Sequence, residues 1–225
     1  MPCNAIMDLC PKESKFTLSQ SGKSATLPCV FSGKYKSEHS IEIELVIANH
    51  SGLARLTDIE AAIERGELLR AAGIVQHIQY QDRATGREID QLRLFAYDVN
   101  PCAEKEPIFS TVMIEGGVRQ LSDTEIFKDH GAFQKAAFTL FSNPFSWERG
   151  FSEFDRETYL NVYCTGYGEV AQKIERLKLK NKAHVIAQGK FEATSFGILG
   201  LRLFDVNYAQ APAVRKEKSH ESKQN

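Results

Sequence analysis

The sequence predicts a mainly β protein made of two similar halves, each a set of short strands that encloses one short helix. Three observations predict it. Apolar and polar residues alternate with the period of strands that have one wet face, most plainly where Ile41, Ile43 and Leu45 alternate with Glu42 and Glu44. Helical spacing is confined to brief stretches such as Val170, Ala171, Ile174 and Leu177. The same order of elements also occurs twice, and each copy closes on Leu-Arg-Leu-Phe followed shortly by Asp-Val-Asn.

Taken in order, residues 1–14 carry no periodicity and are expected to be a flexible leader. A first domain is expected over 15–100. Its short runs FTLSQ, ATLPCVFSG and SIEIELVIAN read as strands, with Pro28 placing its strand at an edge or bulge. Thr57 and Glu60 have the spacing of a capping box, opening a helix through Ile59, Ala62 and Ile63 that ends near Gly66 or Gly73. Ile74 to Tyr80 and Ile89 to Val99 read as a hairpin around the turn at 82–86.

Residues 101–109, bracketed by Pro101 and Pro107, are expected to be a stiff linker. The second domain is expected over 110–212. Its strands are Thr111 to Leu121, Ala132 to Asn143, Tyr159 to Cys164, Val185 to Phe191 and Leu199 to Val206, with the helix after Gly168. Leu92-Arg93-Leu94-Phe95 matches Leu201-Arg202-Leu203-Phe204 at an offset of 109 positions, shared by Leu68 and Leu177, which points to a degenerate tandem repeat. Residues 213–225 are polar and expected to be a disordered tail.

Several function classes are disfavoured. No apolar run reaches the roughly 20 residues of a membrane helix, and the start lacks a secretory signal, so a cytoplasmic protein is expected. The five cysteines are scattered without a CxxC pair, so no metal site is expected, and Cys164 reads as core. The six histidines show neither HxH nor HExxH spacing, and there is no phosphate-cradling glycine loop or nucleophile elbow. No catalytic residue and no cofactor is expected. The formal charge of −1 is awkward for a nucleic-acid binder, and the second half is neutral while the first is acidic, so binding requires a basic stripe on one face.

The second half, with its Glu-Thr-aromatic strand at 157–163, its glycine, its helix and the strand Val185-Ile186-Ala187-Gln188-Gly189-Lys190-Phe191, resembles the bacterial single-stranded DNA-binding protein family. Thr111 to Leu121 is similar to that family's opening strand and Ala132 to Asn143 to its second, so the resemblance covers Thr111 to Tyr208. It implies two OB-like five-stranded barrels, each with a short helix between strands 3 and 4, the first barrel being degenerate. The implied function is sequence-independent binding of single-stranded DNA in replication, repair or recombination, in the nucleoid, with RNA not distinguished. Two-barrel members of the family form homodimers. The rival reading is an OB-fold adaptor that binds a replication or primosome protein and touches nucleic acid weakly. The family's acidic tail with an apolar tip has no counterpart here.

Binding single strands of any sequence needs flat rings for stacking and cations for phosphates. The segment from Asn143 to Tyr163 interleaves Phe145, Trp147, Phe151, Phe154, Tyr159 and Tyr163 with Arg149 and Arg156. By position in the resembled pattern, Tyr159 and Phe196 are the stacking aromatics of the third and fourth strands, and Trp147 that of the intervening loop. Thr165 departs from the pattern, which shifts the platform toward Tyr163 or Tyr167. Lys190 and Arg202 are candidate phosphate contacts, and Lys178, Lys180 and Lys182 form a basic run after the helix. The expected site is thus Trp147, Arg149, Phe151, Arg156, Tyr159, Tyr163, Lys190 and Phe196, with Phe133, Phe138 and Phe141 in the core. In the first half the candidates thin to Lys34, Tyr35, Lys36, Tyr80, Arg83 and Arg87, and its acidity suggests protein docking.

Overall fold

Strand alternation sets the architecture. Along Ser110–Arg119, Val112, Ile114 and Val118 turn inward while Thr111, Met113 and Arg119 face out. The computed structural model describes residues 3–31, 40–81, 86, 88–104, 109–119, 125–127, 133–142, 157–158, 160–193 and 199–209. The first half holds β1 (Cys3–Pro11), β2 (Thr17–Leu18), β3 (Ala25–Phe31), β4 (Ile41–Ile47), α1 (His50–Leu53), α2 (Leu56–Glu64), β5 (Leu68–Gln81) and β6 (Glu88–Cys102). The second holds β7 (Ser110–Arg119), β8 (Glu125–Phe127), β9 (Phe133–Ser142), β10 (Glu157–Thr158), β11 (Leu160–Tyr167), α3 (Glu169–Leu177), β12 (His184–Ala193) and β13 (Leu199–Tyr208).

Each half closes a five-stranded sheet on itself by one pairing scheme. In the first half β1 pairs antiparallel with β3 and β5, β3 with β4, and β5 with β6, while β4 and β6 run parallel. In the second, β7, β9, β11, β12 and β13 repeat those five pairings in the same senses. The helix joining the third and fourth strands, α2 or α3, turns buried residues onto its barrel: Ile59 and Ala62 in α2, Ala171 and Ile174 in α3. Gly166 lets α3 sit close on β11, because a Cβ there would lie 2.8 Å from Ile174 Cδ1.

The repeat is exact in register, at an offset other than the one the tetrapeptide suggests. Ala5 faces Gly73 across β1–β5, and Val112 faces Gly189 across β7–β12. Both glycines mark a β-bulge. Ala72 faces Asp98 and Gly73 faces Ala96, leaving Tyr97 as the extra residue; Gln188 faces Asp205 and Gly189 faces Leu203, leaving Phe204. Asp98-Val99-Asn100 is therefore equivalent to Asp205-Val206-Asn207, and the Leu-Arg-Leu-Phe match is out of structural register by two residues. The equivalence reaches the side chains: Asn100 donates to Asp98 at 2.8 Å and Asn207 to Asp205 at 2.9 Å. A cation from the helical segment completes each clasp, Arg55 on Asn100 at 3.1 Å and Lys173 on Asn207 at 2.8 Å.

β1 and β7 also pair with each other, so that the two barrels share one continuous sheet. Ala5 faces its own equivalent, Val112, while Asn4 faces Met113 and Ile6 faces Thr111. A pseudo-two-fold axis thus passes through the Ala5–Val112 pair, and one hydrophobic core cluster runs across the seam.

Several sequence expectations are corrected. The expected leader is β1: Cys3, Ala5, Met7 and Leu9 alternate into the core, and Asp8 is fully buried. No capping box forms at Thr57, because Arg55 is the N-cap of α2 and Glu60 instead accepts a hydrogen bond from the Phe16 N–H at 2.9 Å. β6 runs on through Pro101 and Cys102, into the expected linker. Pro28 occupies the gap on the edge of β3 between the residues paired with β1 and those paired with β2, where no N–H is needed. The expected tail, 213–225, lies outside the described residues.

Candidate nucleic-acid interface

The outward face of the second barrel runs across β9, β11, β13 and β12. Ala137 faces Thr165, Thr165 faces Arg202, and Arg202 faces Lys190, which makes one row of side chains across all four strands. Beside it lies a second row of Thr139, Tyr163, Gly200 and Glu192, and on the other side Lys135 faces Tyr167. Tyr163 and Tyr167 are 40% and 37% exposed, and being four residues apart on β11 they stand on the same side of the sheet. The Arg202 guanidinium sits over the Tyr167 ring, 5.4 Å from its centre. Toward α3 the face dips into a depression of about 440 Å³ bounded by Tyr167, Val170, Lys190, Arg202 and Phe204.

At the other end, Phe141 faces Gly117 and Asn161, and Arg119 lies 3.7 Å from the centre of its ring. Phe141, expected in the core, is thus a half-buried surface ring, while Phe138 is fully buried as expected. Gly117 makes the arrangement possible, since a Cβ there would lie 3.2 Å from Phe141 Cε1. The ring occupies the space that glycine leaves empty, and the Gly116-Gly117 pair is the sequence signal that could have found it.

Electrostatics favour anions on this surface. In the rows given above Lys135, Lys190 and Arg202 are basic and Glu192 acidic, with Arg119 at the far end and Glu125 opposite Lys135 on β8. Burial pushes the Glu192 carboxyl above the usual carboxylate range, and Arg202 and Lys190 pull it back. Burial likewise raises the Tyr167 phenol, against the pull of Lys135. The arrangement can stack flat rings on Tyr163 and Tyr167 and neutralise phosphates along the strip.

Of the expected site residues, Tyr163 and Lys190 stand on this face, one row apart. Trp147, Arg149, Phe151, Arg156, Tyr159 and Phe196 lie outside the described residues, as do Lys34, Tyr35, Lys36, Arg83 and Arg87. Sequence reasoning missed Arg119, Lys135 and Phe141, whose partners are all on neighbouring strands. Among the described residues no group of three His, Cys, Asp or Glu side chains converges to hold a metal ion. No helix among them is long and apolar enough to cross a membrane.

With the geometry in view, the chain can be compared with known proteins. Its fold matches the single-stranded DNA binding protein from Thermus aquaticus, with a TM-score of 0.54 at 12% identity over 94% of this chain and 95% of that one. A deletion variant of that protein matches with the same TM-score at 14% identity, over 96% and 97% of the two chains. The chain is a tandem OB-fold protein. The full-length likeness agrees with the two closed sheets described above. No family model matches the sequence, and no curated protein sequence matches it.

Proposed function

We propose that the second OB barrel binds single-stranded DNA without sequence preference, in replication, repair or recombination. The observation that carries this reading is the cation pair of Arg202 and Lys190, facing each other across β13 and β12, with the exposed rings of Tyr163 and Tyr167 on β11 to either side of the buried Thr165. Bases stack on the tyrosines, at about 1 to 3 kcal/mol per base, while Lys135, Lys190, Arg202 and Arg119 meet successive phosphates. Trp147, Phe151, Tyr159 and Phe196, with Arg149 and Arg156, are assigned to the same binding site by the sequence pattern alone. The likeness in fold to the single-stranded DNA binding protein from Thermus aquaticus supports the reading.

The test is a titration of labelled oligo-dT at several salt concentrations. Four phosphate contacts give a log-affinity against log-salt slope of about −3, and Lys190→Ala or Arg202→Ala each reduces its size by about 0.7. Tyr163→Ala combined with Tyr167→Ala weakens binding about tenfold or more with the fold intact. Absence of binding at low salt removes the reading and leaves the adaptor role, which the acidity of the first half favours.

The chain acts as a homodimer. Ile6, Met113, Tyr97 and Phe204 are all exposed apolar residues and border one depression of about 250 Å³ on the shared sheet. They form two pairs related by the pseudo-two-fold axis, Ile6 with Met113 and Tyr97 with Phe204, so the patch has the self-complementary symmetry that a second copy requires. Light scattering reads the mass directly. Tyr97→Glu with Phe204→Glu converts a dimer to a monomer, and a wild-type monomer at micromolar concentration discards this assembly.

A further inference from the structure

The two barrels differ again where the helix hands over to the fourth strand. The buried pair Ile59 and Ala62 of α2 corresponds to Ala171 and Ile174 of α3, an offset of 112 positions that makes Gly66 equivalent to Lys178. The backbone agrees, since Gly66 N–H donates to the Ile63 carbonyl at 2.8 Å and Lys178 N–H to the Glu175 carbonyl at 3.0 Å. The bulge glycines Gly73 and Gly189 are 116 positions apart, so the second connection is four residues longer than the first.

The longer connection is also the charged one. In the first barrel it reads Arg65-Gly66-Glu67 and neutralises itself, Arg65 Nε lying 2.7 Å from Glu67 Oε1. In the second it carries Lys178, Lys180 and Lys182, all exposed, with Arg176 before them and no acid from Arg176 to Phe191. Among the described residues none of the three lysines forms an ion pair, and the nearby acid Glu115 is paired with His184. A helix C-terminus favours cations only within its last turn. Lys180 and Lys182 lie beyond it.

The turn is pinned where its charge is. Leu179 is buried beneath it, and the Tyr208 hydroxyl donates to the Leu177 carbonyl at 3.1 Å. Lys182 N–H donates to the Val118 carbonyl and Val118 N–H to that of Ala183, both at 2.8 Å, which fastens the turn to the end of β7. Lys178 and Lys182 have φ of 48° and 71°, the left-handed region that suits glycine, and the first barrel has Gly66, with φ of 80°, at the first of these places.

This placement prolongs the open face. Arg119, next after Val118, faces Thr139, and Thr139 faces Tyr163, so the row with the exposed Tyr163 ring ends beside the turn. The first barrel offers no such run. Val46 and Phe95 on its outward rows face each other and are 2% and 4% exposed, forming with Ile78 a cluster apart from the core.

We infer that the single strand on the open face of the second barrel continues past Arg119 onto the lysine turn, whose three ammonium groups take further phosphates. The turn then sets how long a strand one chain engages. The inference rests on the proposed function and lengthens its path. An acidic protein segment has the same charge, but continuity with the Tyr163 row favours nucleic acid.

The test compares oligo-dT of about 8 nucleotides, within the reach of one OB fold, with oligo-dT of about 20. Both are titrated against salt on the full chain and on the combined variant Lys178→Gly, Lys180→Gln and Lys182→Gly. Glycine suits both left-handed positions, so the variant keeps its fold, which its urea midpoint checks. The variant lowers the log-affinity against log-salt slope of the longer strand by about 2, three contacts at about 0.7 each, and leaves that of the shorter strand unchanged. An unchanged slope for the longer strand overturns the extension and leaves the face in place. A wild type that binds neither length at low salt overturns both. Capture of poly-glutamate by the wild type and not by the variant, with both oligo-dT slopes unmoved, overturns the extension in favour of an acidic protein segment.

Discussion

Two barrels with one pairing scheme, one bulge and one Asp-Val-Asn clasp differ most on the surface where their outward rows cross. Position for position, Phe95 stands where the second barrel has Arg202, and Ile74 where it has Lys190. The difference teaches that the closed sheet is indifferent to what its outer face carries. Stability comes from the inward alternation, which both halves keep, and the outward positions are free to become either a wet cationic strip or a dry contact.

The sharpest way to break this comparison is to exchange the rows. Phe95→Arg forces a cation into a dry contact and lowers stability by about 3 to 5 kcal/mol, read from urea denaturation. Arg202→Phe changes stability by less than about 1 kcal/mol but weakens oligo-dT binding about tenfold. Equal destabilisation by the two substitutions contradicts the assignment of one dry and one wet face.

A second contrast lies in ion pairing. Asp8 is fully buried and accepts two hydrogen bonds from Arg70, at 2.7 and 2.9 Å, while Arg70 also stacks 4.6 Å from the centre of the Phe109 ring. At the position equivalent to Asp8, Glu115 is paired with the exposed His184, 3.6 Å away. Arg70→Ala therefore leaves a buried carboxylate alone and costs about 3 kcal/mol, against less than about 1 kcal/mol for Glu115→Ala. Thermal melts of both variants separate the two cases.

The bulge glycines should behave alike. A Cβ on Gly73 would lie 2.3 Å from the Phe95 carbonyl oxygen and one on Gly189 2.2 Å from that of Arg202. Gly73→Ala and Gly189→Ala each cost about 1 to 3 kcal/mol, and a tolerated substitution at either would deny the shared bulge.

The smallest effect concerns the clasps. The hydrogen bond from Lys173, 2.5 Å from Asp205 Oδ1, holds the Asp205 carboxyl below its ordinary value. A depressed folded-state value stabilises the fold above the unfolded value of an aspartate, and that contribution disappears as pH falls through the folded one. The melting temperature of the wild type accordingly drops more steeply on acidification than that of Asp205→Asn. Parallel curves refute the contribution. The Glu192 carboxyl, raised by burial, works in the opposite sense at the binding face: oligo-dT affinity strengthens as pH is lowered through its value.

How much of this was legible in the sequence depends on whether a contact is local. The alternation of Ile41, Ile43 and Leu45 and the helical spacing of Val170, Ala171 and Ile174 report only their own element, and both emerged where expected. β1 was missed although Cys3, Ala5, Met7 and Leu9 alternate, because Met, Cys and Ala are weak strand markers beside Val and Ile. The tetrapeptide match misled over the repeat register because a slip of two residues keeps every strand side chain on its own face. Asp98 and Asp205 mark the true register, since each makes a matching hydrogen bond. Tyr163 and Lys190 were found as types suited to nucleic acid. That Arg202 joins Thr165 to Lys190, and that Arg119 covers Phe141, are facts of cross-strand pairing, which no single stretch of chain contains.

The seam at Ala5 and Val112 joins copies that already share one polypeptide. Their encounter is intramolecular, so it survives dilution that would separate two free subunits. Such permanence relieves either copy of meeting its twin by chance, and it lets one diverge into a scaffold while the other keeps the working surface. Fusion in this sense turns a symmetric partnership into a division of labour.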